Sequence, residues 1–445
     1  MAFADAEGVK TITSLVTASA LAFLAAAEGA SVTLSVKPER EYLLAGGPRD
    51  TVVLVELRAK EADAKRTAPI NLALVLDRSG SMAGAKLEKA RQAAGVALDQ
   101  LGPDDTFSLV IYDDQVEVLI PPQRVKDREE MKRKIARIRD GGSTALYAGV
   151  EKGADQLRKY FDKEKVNRIV LLSDGLANVG PSSPSALAKL GKELRGEGFG
   201  VSTVGLGDDY NEDLMTALAE ASHANYYYVK DAEKLPGIFK DELGTVKNAV
   251  ARNVKITITL PDGVKPKCVL GEDDLAFHGQ SITIPLAELF GSQTRRFLIA
   301  CDAPASDVRE IELAHVELSY DDSGTGKASA ENRTAKIAQT SDTSLVEKSI
   351  QPDVASSVAI ARNRLAKEEA VKLADAGKPK DAAALLVRQA AANAALPAAA
   401  QSDLLRRDDQ ELKQKAEELQ SLGSLSKGSR KEIQYHNYQD KNQKR

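Results

Sequence analysis

Between residues 70 and 245 the chain alternates two textures. Unbroken apolar runs such as NLALVLD (71–77) and NRIVLLS (167–173) are separated by segments whose apolar residues recur every three or four positions. A strand without a polar face must be covered on both sides, as in a parallel sheet layered between helices. Residues 84–101 set Leu87, Ala90, Ala94, Ala97, Leu98 and Leu101 on one helical stripe that stops at Gly102-Pro103. TFSLVIY (106–112) and VEVLIP (116–121) read as strands joined by a short acidic turn. Helices over 127–139, 145–158, 184–197 and 211–222 then alternate with NRIVLLS, GVSTVGL (200–206) and NYYYV (225–229). The pattern predicts an α/β fold: a Rossmann-like, doubly wound, mostly parallel sheet.

The flanks have other periods. SVTLSVKP and TVVLVELRA within 30–64, and VKITITL, SITIPL, RRFLIAC and AHVELSY within 248–345, are short alternating strands between turn signals. The two sets are each other's natural partners, which places the α/β domain of 68–245 as an insertion in a β-sandwich. Residues 346–425 become Ala-, Lys- and Glu-rich. There 353–376 and 380–395 flank AGKP as a helical hairpin, and 400–421 adds a third helix. Residues 426–445 read as a polar, basic, loosely ordered tail. Residues 1–29 contain the apolar run TITSLVTASALAFLAAA and read either as a secretory signal segment or as an N-terminal helix. Export to a periplasm or cell surface is the favoured reading, with the cytoplasm as the alternative.

Composition narrows the function. Acids exceed bases by 65 to 61, aromatics are 4% and Trp is absent, which argues against nucleic acid as a partner. The four histidines, His223, His278, His315 and His436, lack the spacing of a zinc site or a catalytic triad. No G-x-x-x-x-G-K-[ST] phosphate loop and no G-x-S-x-G elbow occurs. Cys268 and Cys301 lie in separate strand-like stretches and read as a disulfide in an exported chain or as two buried thiols.

Oxygen-bearing side chains gather at one predicted place. In an open parallel sheet, functional groups collect beyond the carboxyl ends of the strands. The strand at 71–77 delivers Asp77, Ser79 and Ser81 there, the GGST loop delivers Thr144, and LLSDG delivers Asp174. Singly, each reads as a helix cap or tight turn. Together, two carboxylates and three hydroxyls on one edge suit a small hard cation, Mg²⁺ first and Mn²⁺ or Ca²⁺ as alternatives. Because hydroxyl ligands add no charge, such an ion keeps an appetite for a carboxylate supplied by a protein partner. Asp208 and Asp209 read as loop and cap residues, and Tyr226, Tyr227 and Tyr228 as strand residues facing alternate sides.

The D-x-S-x-S run Asp77-Arg78-Ser79-Gly80-Ser81, with Thr144 in GGST and Asp174 in LLSDG, resembles the metal-ion-dependent adhesion site of von Willebrand factor type A domains. The resemblance spans about 68–245. The wider layout is similar to bacterial relatives of inter-alpha-trypsin inhibitor heavy chains and calcium-activated chloride channel regulators. The resemblance implies direct ligation by Ser79 and Ser81, and by Thr144 when a ligand is engaged. It implies that Asp77 and Asp174 act largely through waters, and that the domain binds proteins and does not catalyse. Two other readings stay open: an intracellular assembly factor recruiting an ATPase, and a metal-assisted hydrolase built on Asp77 and Asp174.

Overall fold

The computed structural model describes residues 30–62, 69–272, 275–304 and 310–442; the segment 1–29 lies outside them. Three strands come first: β1 (Val32–Pro38), β2 (Tyr42–Leu44) and β3 (Asp50–Ala59). The α/β domain follows as β4 (Ile70–Asp77), α1 (Ala85–Gln100), β5 (Thr106–Tyr112), β6 (Val116–Arg124), α2 (Arg128–Ala136), α3 (Leu146–Lys159), β7 (Val166–Ser173), α4 (Pro184–Gly196), β8 (Phe199–Leu206), α5 (Glu212–Ala221), β9 (Tyr226–Val229) and α6 (Leu235–Lys247). Strands resume with β10 (Ala249–Thr259), β11 (Lys265–Val269), β12 (Ser281–Phe290), β13 (Thr294–Asp302), β14 (Glu310–Asp322) and β15 (Ala328–Thr340). Helices complete the chain: α7 (Thr343–Lys348), α8 (Pro352–Asp375), α9 (Pro379–Ala394), α10 (Asp403–Leu422) and α11 (Lys427–Asn442).

The central sheet has the order β6-β5-β4-β7-β8-β9, parallel except for β6 at one edge. Every residue of β4 and β7 is buried, as runs without a polar face require. Leu72, Leu74 and Leu76 pack with α1 and α6 on one side, while Ala73 and Val75 pack with α3 on the other. The approach of α3 depends on glycine. A Cβ at Gly153 would lie 2.7 Å from Val75, and one at Gly149 would lie 3.0 Å from Tyr112. The close contact brings the start of α3, and with it Thr144, down to the end of β4. In β9, Tyr226 and Tyr228 face the α3 side and Tyr227 the α1 side.

This domain interrupts a sandwich of two antiparallel-rich sheets, β1-β3-β13-β11 and β12-β10-β14-β15-β2. β3 runs antiparallel to β13 with Val55 opposite Phe297, so strands on both sides of the insertion share one ladder. The disulfide reading for Cys268 and Cys301 is corrected, since both are free thiols. A register shift separates the pairs Pro266–Cys301 and Cys268–Ala300. Cys301 faces the sandwich core while Cys268 is exposed, so the two sulfurs do not meet. Burial pushes the Cys301 thiol up to about 11.

The reading of 426–445 as a loose tail is also corrected: α11 occupies 427–442. Tyr438 and Ile433 are buried, the Tyr438 hydroxyl donates to the Ala224 carbonyl, and its ring meets Tyr226 edge-on at 5.7 Å. Glu212 of α5 accepts from Lys431 at 2.8 Å and from Arg430 at 3.3 Å. Buried Lys367 of α8 donates to Asp408 and Glu411 of α10 and sits 3.9 Å from Asp440 of α11. The last helix therefore ties the helical region to the α/β domain.

Candidate metal centre

β4 ends at Asp77, and the chain turns sharply at once. Ser79 donates its amide to Asp77 Oδ1 at 2.8 Å, and Ser173 of neighbouring β7 donates its hydroxyl to Asp77 Oδ2 at 2.7 Å. Both oxygens of this fully buried carboxylate are thus spent on holding the turn and the next strand. Burial, aided by the charge of Asp174 and opposed by those hydrogen bonds, pushes Asp77 up to about 6.

The turn projects Ser79 and Ser81 together, their hydroxyl oxygens 3.1 Å apart. Ser81 donates to Asp174 Oδ1 at 2.6 Å, which joins the ends of β4 and β7. The GGST loop reaches the same point because Gly80 donates to the Gly142 carbonyl and Gly141 to the Arg78 carbonyl. Gly142 needs its positive φ of 70° there, with the Asp113 and Asp114 side chains occupying the space a Cβ would take. Asn178 then accepts from the Thr144 amide at 2.8 Å and fixes that residue from the far side.

The hydroxyls converge on one small space. A Cβ on Gly175 would sit 3.1 Å from Ser81 Oγ, 3.4 Å from Thr144 Oγ1 and 4.0 Å from Ser79 Oγ. Only glycine leaves that cradle open. All five residues picked out in the sequence, Asp77, Ser79, Ser81, Thr144 and Asp174, therefore stand on one rim. Three hydroxyls there, backed by two carboxylates, form a hard-oxygen set that fits a divalent cation such as Mg²⁺. Among the described residues no group of three or more His, Cys, Asp or Glu is placed to hold a metal, so a site here depends on its hydroxyls.

Sequence reasoning missed Lys86. It lies on the first turn of α1, and its ammonium donates to Asp174 Oδ2 at 2.5 Å. No local pattern in the sequence marks it out from other helix-surface lysines. Arg78 points away from the cluster to Asp113, at 2.9 Å. Ser173 and Asn178, the supports of Asp77 and Thr144, were likewise not foreseen. Beside the cradle, Leu176 is 60% and Val179 37% exposed, two of the few large apolar side chains left in solvent among the described residues.

This arrangement has relatives. Residues 71–241 match the von Willebrand factor type A domain family. An uncharacterized protein of Synechocystis sp. is 28% identical over 66% of this chain and 72% of its own length. The uncharacterized protein YfbK of Escherichia coli is 29% identical over 49% of this chain and 39% of its own. Inter-alpha-trypsin inhibitor heavy chain H3 of Mus musculus is 28% identical over 42% of this chain and 22% of its own. The match thus spans well under half the length of these last two relatives. Among solved structures, a von Willebrand factor type A protein from Catenulispora acidiphila superposes with a TM-score of 0.65 at 20% identity, covering 85% of this chain and 95% of that one. The ArnB paralog VWA2 from Sulfolobus acidocaldarius gives 0.59 at 17%, covering 92% and 98%. These likenesses concern the fold, and they extend beyond the α/β domain. The chain carries a von Willebrand factor type A domain, a class of module that typically serves interaction and not catalysis.

Proposed function

We propose that this chain is a divalent-metal-dependent protein-binding module that captures a carboxylate of its partner at the rim formed by Asp77, Ser79, Ser81, Thr144 and Asp174. The observation that carries the reading is the convergence of three hydroxyl oxygens on the Gly175 cradle, with two buried carboxylates directly behind them. Ser79, Ser81 and Thr144 would hold the ion, with Asp77 and Asp174 supporting it. The bound ion would supply an electrophilic position for one anionic oxygen from outside.

Charge explains why an acid is preferred. Asp77, Asp174 and Lys86 together carry one net negative charge, so a dication turns the rim positive. Ser173 and the Ser79 amide keep Asp77 from swinging outward, and Lys86 does the same for the free oxygen of Asp174. The exposed Leu176 and Val179 give a partner an apolar foothold next to the charge. Lys86 is already a donor to Asp174 and offers no general base, which weighs against a hydrolytic role for the pair of aspartates.

The test is capture on the immobilised full chain with Mg²⁺, followed by elution with chelator. Proteins released by chelator should be absent when Ser79→Ala and Ser81→Ala are combined. They should be reduced by Leu176→Ser, with metal affinity unchanged in that variant. Equal retention by the double variant, or retention through chelation, contradicts the reading.

A further inference from the structure

A second cleft lies at the opposite end of the sheet, where β7 and β8 begin. It is bounded by that edge of the α/β domain and by β10 and β12 of the sandwich, and it measures about 550 Å³. Lys163, Lys165, Arg168, Arg195, Arg252 and Lys255 line it, against Glu288 as the one carboxylate lining it among the described residues. The chain as a whole carries a net charge of −4, so this is a local concentration of cations and not a reflection of composition.

Two of these cations are built into the wall. Arg168 is 3% exposed, and its Nη1 lies 2.5 Å from where a Cβ on Gly200 would be, so that glycine makes room for the guanidinium. Its Nη1 reaches Ser202 at 3.5 Å and its Nη2 reaches Glu288 at 3.7 Å, both long contacts. Arg252 donates to the Glu164 carbonyl at 2.9 Å and has the exposed Glu164 carboxylate at 3.9 Å. The Nε atoms of both arginines are buried and have no hydrogen-bond acceptor among the described residues. A buried guanidinium donor without an acceptor costs stability unless something completes it. Aromatic side chains also line the cleft. Phe161 is 49% exposed and rests edge-on against buried Phe199, at 5.7 Å between ring centres.

We propose that this cleft binds a small organic oxyanion, a phosphate monoester or carboxylate with an aromatic or aliphatic body. The acid group is met by the guanidinium groups of Arg168 and Arg252 that line the cleft, and the body lies against Phe161. Guanidinium forks match such oxyanions in shape as well as charge. The site is on the rim opposite the metal centre and does not depend on it.

The probe is phenyl phosphate, titrated calorimetrically into the metal-free full chain. One site with a Kd below about 1 mM is expected, with inorganic phosphate and phenol each weaker by about tenfold or more. Arg252→Gln should weaken phenyl phosphate by about tenfold and Lys255→Gln by about threefold. Phe161→Ala should remove most of the advantage over inorganic phosphate. The combined Ser79→Ala and Ser81→Ala variant should bind the probe as the wild type does, separating this site from the metal centre. Lys255 is solvent-exposed, so its variant tests the site even if the Arg252 variant fails to fold. Absence of saturable binding, phenol binding as tightly as phenyl phosphate, or indifference to both charge variants overturns the proposal.

Discussion

Asp77 is the residue on which the site turns, and its protonation is measurable. Its folded value of about 6 lies above the ordinary 3.8, so between those pH values the metal-free folded chain holds a proton that the unfolded chain has lost. Its contribution is therefore favourable at low pH and fades as pH rises through about 6. The stability of wild type relative to Asp77→Asn, measured by urea unfolding without metal, should fall by roughly 1–2 kcal/mol between pH 5 and pH 7. Parallel pH profiles would show that Asp77 keeps its ordinary value. At this scale the sequence was informative wherever a motif fixed both residue type and strand end, as for Asp77, Ser79, Ser81, Thr144 and Asp174. It was silent on Lys86, because a lysine on a helix surface has the same local pattern whether it meets solvent or reaches Asp174.

Elements were legible in proportion to their apolar periodicity. The fully buried β4 and β7 announce themselves, and the α8–α9 hairpin shows its turn in AGKP, with Gly377 at φ 73°. α11 did not, because much of what it buries is polar. Lys431, Asn437 and Asp440 are covered, with Glu212 meeting Lys431 and Lys367 meeting Asp440. Such burial depends on partners more than 70 residues away in sequence, and no local window contains them. Cys268 and Cys301 stayed open between two readings in the sequence because a register shift decides which face each strand residue takes. Tyr438→Ala, which empties the slot against Tyr226, should cost about 3 kcal/mol in thermal or urea unfolding. A loss under 1 kcal/mol would mean that α11 is not docked as described.

The whole molecule is an interrupted sandwich with a module carried on it. α6 passes into β10 through Asn248 alone, and Lys247 donates to Asp105 and to the Gln100 carbonyl, which fixes the exit of the module beside its own α1. At the other side α11 connects three parts of the chain. It meets the module through Tyr438 and Lys431, the sandwich through Asn442 and Arg295, and the helical region through Glu432 and Lys415. Residues 68–248 expressed alone should fold and keep their metal affinity, yet melt lower than the full chain because Tyr226 loses its cover. Insoluble or protease-sensitive material would contradict that division.

Crystals of the full chain grown with Mn²⁺ test, by anomalous scattering, whether five side chains on one rim hold a single dication. One peak among the hydroxyl oxygens of Ser79, Ser81 and Thr144, absent from the combined Ser79→Ala and Ser81→Ala variant, is the predicted result. Anomalous density elsewhere on the chain with none at this rim would contradict it.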